Sequence, residues 1–268
     1  MSVNSFKKEL WETALLEGFR EVSTADLITA KPTSVDGKVA HFNVASLATG
    51  LKDYEGTVAF EDIDTTSIDL YFDKSRYFAL KLDDVDRVQL AGDVMTSVTA
   101  DQAYEIKVDI DKAIYKEAIA GAKPENVIGS DGAKEMITNF AEAYNFIVDL
   151  GTKLDENKVP TSNRFIVAPP EFVNLLAKDS RVLDNAIVLP NGIVQGMDVN
   201  GIKVIKTADI EKGKVLVLHN SAVAFGKQID KVEALRLESS FSDGVRGLVQ
   251  YGVKTLRPNA IGVLHYEI

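Results

Sequence analysis

Residues Val232 to Ile261, VEALRLESSFSDGVRGLVQYGVKTLRPNAI, keep extended-chain patterning for longer than a small domain needs, and they constrain the fold more than any other stretch. From Val245 onward a period of two places Val245, Gly247, Val249, Tyr251 and Val253 on one face, and Arg246, Gln250 and Lys254 on the other. A ribbon with one apolar face has to lie on something. The amphipathic stretch Thr99 to Gly121 supplies the partner, with Ala103, Ile106, Ile110, Ala113 and Ile114 in one stripe, Gly121 at its end and Pro124 beyond. A long helix laid across a long ribbon makes a plate rather than a ball, and a plate offers broad surfaces for assembly.

At 268 residues and 46% hydrophobic, the chain can bury a full core in one or two domains. It has no cysteine, which removes disulfides, thiolate metal sites and thiol nucleophiles and fits a reducing compartment. The apolar runs, such as Val215 to Leu218, are far shorter than the ~18 residues of a membrane helix. The start, MSVNSFKKELWETALLEGF, carries Lys7, Lys8, Glu9 and Glu12 where a signal peptide needs an apolar run, so a soluble, unexported chain is expected. A net charge of -10 argues against a nucleic-acid binder of the basic-patch type, which neutralises phosphates with clustered Lys and Arg.

The patterning divides the chain in order. Phe6 to Val22 sets Trp11, Leu15, Phe19 and Val22 at helical spacing, a docking face rather than a cofactor box. From Lys31 to Asp64 short extended pieces, Val39 to Val44 and Thr57 to Phe60, are separated by Asp36-Gly37, Gly50 and Glu55-Gly56, which predicts a projecting hairpin. Strands Ser67 to Phe72 and Tyr77 to Leu82 follow, joined by Asp73, Lys74, Ser75 and Arg76 as a hairpin turn. After the spine helix, a second helix is expected over Asp131 to Leu154 with Met136, Ile137, Phe140, Ala141, Tyr144, Ile147 and Val148 on its apolar face. Next come a strand at Phe165 to Ala168, a short helix at Glu171 to Ala177, and strands at Ile193 to Val199 and Ile202 to Ile205 around a type I′ turn, Asn200-Gly201. Strands Lys214 to His219 and Ala222 to Phe225 precede the ribbon.

No constellation carries chemistry. Asp83, Asp84 and Asp86, like Asp62 and Asp64, could attract a hard cation, but they lack the glycine and terminal glutamate of a calcium loop and read as solvated turns or partners for an intersubunit salt bridge. His41, His219 and His265 are far apart, without HExxH or GxSxG, and read as structural. Gly244, Gly247 and Gly252 lie along one ribbon, so they read as points of close approach to the spine helix rather than as a phosphate loop. No catalytic, cofactor-binding or metal residue is assigned, and no enzyme is expected.

The segments WETALLEGF, DLYFDKSRYFALKLDDVDRVQ, NRFIVAPPEFVNLL, VNGIKVIKTADIEKGKVLVLHNSAVAFGKQ and the closing ribbon, in this order and spacing, resemble the major capsid proteins of tailed bacteriophages. The resemblance implies an α+β Hong Kong-97-like (Johnson) fold. It assigns 1–30 to an N-terminal arm, 31–66 to an extended loop overlapping a neighbour, 67–122 with 230–268 to a discontinuous peripheral domain, and 123–229 to an axial domain. It implies a structural subunit of an icosahedral shell that forms hexamers and pentamers around double-stranded DNA, with a portal protein at one vertex, in a virion assembled in the bacterial cytoplasm. Some relatives begin with a scaffolding region; here the arm follows Met1 at once, so a separate scaffolding protein is expected. Others crosslink a loop Lys to an Asn. Lys31, Lys38, Lys52 and Asn259 are present, yet no such site is assigned. Shell subunits meet at several angles, which makes Gly50, Gly56 and Gly92 hinge candidates. The acidic balance suggests an inner wall that lets DNA slide. An encapsulin-type compartment shell is the alternative within the fold, and an α/β enzyme is the remote one.

Overall fold

The computed structural model describes residues 24–45, 65–83, 94–179, 181–182, 187–189, 192–236 and 242–268. The sequence-predicted arm helix, the middle of the hairpin at 46–64 and the acidic turn at 84–93 lie outside them. Along the chain the described strands are β1 (Ser34–Asp36), β2 (Val39–Ala45), β3 (Thr65–Tyr71), β4 (Lys74–Asp83), β5 (Val127–Ile128), β6 (Glu135–Met136) and β7 (Arg164–Ala168). They continue with β8 (Ile187–Val188), β9 (Ile193–Val199), β10 (Ile202–Lys206), β11 (Lys214–His219), β12 (Val223–Arg236), β13 (Ser242–Thr255) and β14 (Ile261–Glu267).

An eight-stranded mixed sheet in the order β5-β14-β11-β7-β10-β9-β8, with β6 also on β14, forms the centre. Its middle strands read as unbroken apolar runs because both their faces are covered. Phe165 and Val167, Leu216 and Leu218, and Ile261 and Val263 point to one core, which contains the spine helix. Ile166 and Ala168, Val215 and Val217, and Leu264 and Tyr266 point to the other, under helices Phe140–Glu156 and Pro170–Leu176. The β9–β10 hairpin turns through Asn200 and Gly201, both at positive φ (52° and 75°), as the type I′ reading requires.

The spine helix runs from Val94 to Gly121, starting earlier than Thr99, and its 28 residues span ~42 Å. Ile110, Ile114 and Ala118 are fully buried along its stripe. Across it lies a three-stranded sheet ordered β12-β13-β4. The single long strand expected from Val232 to Ile261 is instead an antiparallel hairpin of two 14-residue strands, paired from Val223↔Thr255 to Arg236↔Asp243. After Thr255 the chain leaves this ribbon, and β14 enters the central sheet between β5 and β11. The stretch 230–268 therefore does not stay with one sheet. Extended patterning reports strand character but not which sheet receives the strand. Val249, Tyr251 and Val253 are buried and Arg246 and Lys254 exposed, as the alternation predicts, whereas Gln250 is buried on the outer face.

Two further expectations change. β3 and β4 do not form a hairpin with each other: β3 pairs with β2 from Ala45↔Thr65 to Val39↔Tyr71, while β4 pairs with β13 from Tyr251↔Lys74 to Ser242↔Asp83. Their short connection carries the chain from one sheet to another because Phe72 is buried with Ala40, Phe42, Leu70 and Ala224 instead of turning in solvent. The second helix begins at Phe140, not Asp131. Asn139 caps it by accepting from the Glu142 N–H at 3.0 Å, and Glu142 Oε2 accepts from the Thr138 N–H at 2.7 Å, a capping box. Its buried stripe is Ala143, Ile147, Leu150, Gly151 and Leu154, so Met136 and Phe140 stay exposed.

The helix start has a direct check. Asn139→Ala should cost about 1 kcal/mol in denaturant unfolding, while Met136→Ser should stay within about 0.5 kcal/mol of the parent. A helix that began at Asp131 and buried Met136 would reverse that order.

Candidate functional site

The three histidines sit in three different places. His41 Nδ1 lies 2.8 Å from Asp69 Oδ1 across β2–β3. His219 Nδ1 lies 2.8 Å from Ser221 Oγ in the turn after β11; burial, then the nearby Arg164 and Arg257, lower its proton affinity. His265 Nδ1 lies 3.0 Å from Asp131 Oδ1, which also receives Lys214 Nζ at 3.0 Å. Each is engaged locally; His219 and Ser221 are the one such pair of imidazole and hydroxyl among these three sites, and the Ser221 N–H also donates to His219 Nδ1 at 3.2 Å, as in a local turn contact. Among the described residues no three His, Asp or Glu side chains gather as metal ligands, and no helix is long and apolar enough to cross a membrane.

Of the other sequence candidates, Asp83 ends β4 opposite Ser242, while Asp62, Asp64, Asp84 and Asp86 lie outside the described residues. So do Trp11, Leu15, Phe19, Gly50, Lys52, Gly56 and Gly92. Lys31 and Lys38 are solvent-facing, and the Asn259 carbonyl accepts from Asn126 Nδ2 at 3.0 Å. The ribbon glycines do not approach the spine helix as expected. A methyl on Gly247 would overlap the Phe78 ring of neighbouring β4, and one on Gly252 would overlap the Tyr71 carbonyl oxygen on the opposite side of the ribbon.

What ties the described elements together is a set of joints. The ribbon is tied to the spine helix where Tyr251 Oη donates to Asp109 Oδ2 at 2.6 Å and Arg76 Nε donates to the same oxygen at 2.9 Å. At the helix end, Thr255 N–H donates to Glu117 Oε1 at 3.3 Å, and Gly121 lets the last turn sit against Thr255. Residues 24–30 are held twice. Ala30 N–H donates to the Val223 carbonyl at 2.8 Å, and Thr24 Oγ1 lies 2.9 Å from Tyr115 Oη on the helix.

Beside Thr24 and Tyr115 lies a buried charged cluster that joins the helix to the β10–β11 turn. Lys107 Nζ is 3.1 Å from Asp209 Oδ2 and 3.3 Å from Asp111 Oδ2. Asp111 is fully buried, and apart from this ion pair neither of its oxygens accepts an aligned hydrogen bond. Burial pushes its carboxyl from 3.8 up to about 6, with Lys107 pulling the other way. A folded-state value above the unfolded one means that ionisation costs stability. The cost is absent below pH 4, grows through the window from 4 to 6, and is complete above it.

Among the described residues the large exposed apolar side chains are dispersed over several elements, Tyr104 of the spine helix among them. Tyr77 on β4 is 82% exposed, and Tyr71 and Val35 on the small sheet are also exposed. Met136, Phe140 and Ile268 gather at one end of the central sheet, where β6 pairs with the end of β14 and the Ile137 N–H donates to the Glu267 carbonyl. Exposed aromatic and aliphatic groups around flat joints suit contact with other chains better than they suit a small ligand.

Searched by sequence, the chain matches no protein-family model and no curated protein. Its architecture does match solved structures. One from Mycobacterium phage Che8 is 25% identical, with a TM-score of 0.64 and 85% of each chain covered. The capsid structure of the cyanophage P-SCSP1u is 17% identical, with a TM-score of 0.68 over 92% of this chain and 89% of that one. This is the Hong Kong-97-like fold of tailed-phage major capsid proteins. The same fold extends to the SrpI encapsulin complex of Synechococcus elongatus, 11% identical, with a TM-score of 0.60 over 93% of this chain and 91% of that one. The joints just described hold together the parts of a capsid-fold plate, and sequence reading missed them because their members lie far apart in the chain; Lys107 and Asp209 are 102 residues apart.

The buried carboxylate gives a prediction with a definite sign. From pH 4 to pH 7 the parent should lose up to about 3 kcal/mol relative to Asp111→Asn. Chemical denaturation of both proteins across that range checks it, and a flat difference would mean that Asp111 is not buried as an ionisable group.

Proposed function

We propose that this chain is the structural subunit of an icosahedral tailed-phage shell that assembles into hexamers and pentamers and encloses double-stranded DNA. The observation that carries the reading is the correspondence of fold over 85% of this chain and 85% of the Che8 chain at 25% identity, beside that with the P-SCSP1u capsid structure. In this reading 31–66 is the extended loop that reaches a neighbour, the spine helix and ribbon form the peripheral plate, and the central sheet forms the axial part. Strand β14 is shared into that axial part from the far end of the chain. A shell of this kind closes through many modest contacts whose linkage gives avidity, which fits dispersed apolar side chains better than one strong patch. No reaction is assigned to it.

The similarity to an encapsulin favours a second reading within the same fold, a compartment shell holding protein cargo. What the particles contain separates the two. Expressed alone and together with its neighbouring genes, the chain should yield closed particles with fivefold vertices in electron micrographs. Nuclease-protected DNA inside native particles supports the phage reading, and a co-purifying protein cargo supports the compartment reading. A chain that stays monomeric under every condition overturns both.

A further inference from the structure

Two glycines face each other across the middle of the long ribbon hairpin, Gly226 on β12 and Gly252 on β13. Glycine weakens a strand interior, so a directly opposed pair calls for a reason in what lies above it. Above it lies the small sheet β1-β2-β3, seated on the face of the ribbon away from the spine helix. A methyl on Gly226 would come within 2.5 Å of Phe72 Cε1 and 3.3 Å of Ala40 Cβ. A methyl on Gly252 would overlap the Tyr71 carbonyl oxygen and lie 3.3 Å from Leu70 Cδ1. The two missing side chains therefore form a notch that receives the end of β2 and β3.

The seat is small. Ala40, Phe42, Leu70, Phe72 and Ala224 make up its buried core, with Ala30 and Leu256 at its margin, and Lys254 Nζ reaches the Asp69 carbonyl at 3.4 Å. Pairing then carries β2 and β3 beyond Phe42, the last seated residue, to Ala45↔Thr65, ~10 Å further along the strand. The small sheet is thus a lever with its fulcrum on two glycines. A shift of about 1 Å at the fulcrum, what a methyl against a carbonyl oxygen demands, is carried along the whole arm.

We propose that Gly226 and Gly252 are positioning residues for assembly: the notch they form sets the angle at which the small sheet leaves the plate. This rests on the shell reading. The two neighbours differ in how far they can yield, because a ring edge can swing but a backbone carbonyl within a paired strand cannot. Gly252→Ala should therefore act more strongly than Gly226→Ala.

The test compares the parent, both single variants and Gly247→Ala, whose added methyl meets the Phe78 ring on the other face of the same strand. Gly252→Ala should keep slow amide exchange in the central sheet and spine helix while exchange over 39–45 and 65–71 speeds up at least tenfold. Its yield of particles with the parent's diameter should fall at least tenfold, in favour of open or misshapen assemblies. Gly247→Ala should form particles of parental diameter even where its thermal midpoint falls. Parental particles from Gly252→Ala, or exchange lost evenly over the whole molecule, overturn the proposal. If Gly252→Ala does not accumulate as folded protein, Gly226→Ala is read by the same two criteria. A parent that forms no particles refutes the shell reading instead, so the two failures are distinguishable.

Discussion

Burial of the Ile110, Ile114 and Ala118 stripe is the contact on which the rest of the structure depends. One side of the spine helix meets the ribbon through Tyr251 and Val253, and the same cluster contains Leu216, Leu218 and Val263 of the central sheet. Neither sheet can bury that face on the other without the helix between them. The polar joints then fix orientation where the apolar contact alone would allow sliding. Asp109 gathers Tyr251 and Arg76 on the ribbon side, and Lys107 binds Asp209 on the sheet side. Such pairs contribute geometry more than net stability, since desolvating Lys107 and Asp111 offsets much of their attraction.

The second consequence of this arrangement is a division of labour between faces. The central sheet is covered on both sides and is the rigid body; the ribbon is covered by the helix on one side and only partly by the small sheet on the other. The small sheet is seated on five buried residues, far fewer than either core of the central sheet contains. Regions with few buried contacts open at lower free energy, so motion is expected to concentrate in the small sheet. In a shell, where one sequence has to fit several local geometries, a rigid core carrying a weakly seated lever allows adjustment without loss of the fold.

Much of the architecture was legible in the sequence, and the errors share one cause. The spine helix, the apolar strands at 165–168 and 214–219 and the Asn200-Gly201 turn follow from periodicity and turn chemistry, which are local. The hairpin expected between Ser67 and Leu82 and the single ribbon expected from Val232 to Ile261 failed because strand pairing is non-local: nothing in Asp73 to Arg76 tells β3 to join β2 and β4 to join β13. The second helix was the exception, since Asn139 and Glu142 spell a capping box that an eye on apolar spacing passed over in favour of Met136 and Ile137. Gly247 and Gly252 were rightly read as close approaches, but the neighbour is Phe78 of β4 for the first and the small sheet for the second, not the spine helix. The charged cluster at Lys107, Asp111 and Asp209 carried no sequence signature beyond an ordinary i,i+4 pair.

Strand β14 has an implication for biosynthesis. It occupies an interior position, hydrogen-bonded to β11 on one side and to β5 and β6 on the other. Until residues 261–267 have left the ribosome, β5 and β11 have no strand between them and both cores stand open along that gap. Pairings of such long sequence separation form late. A chain interrupted before Ile261 therefore lacks the strand that joins β5 to β11, and both cores lose the wall that they share.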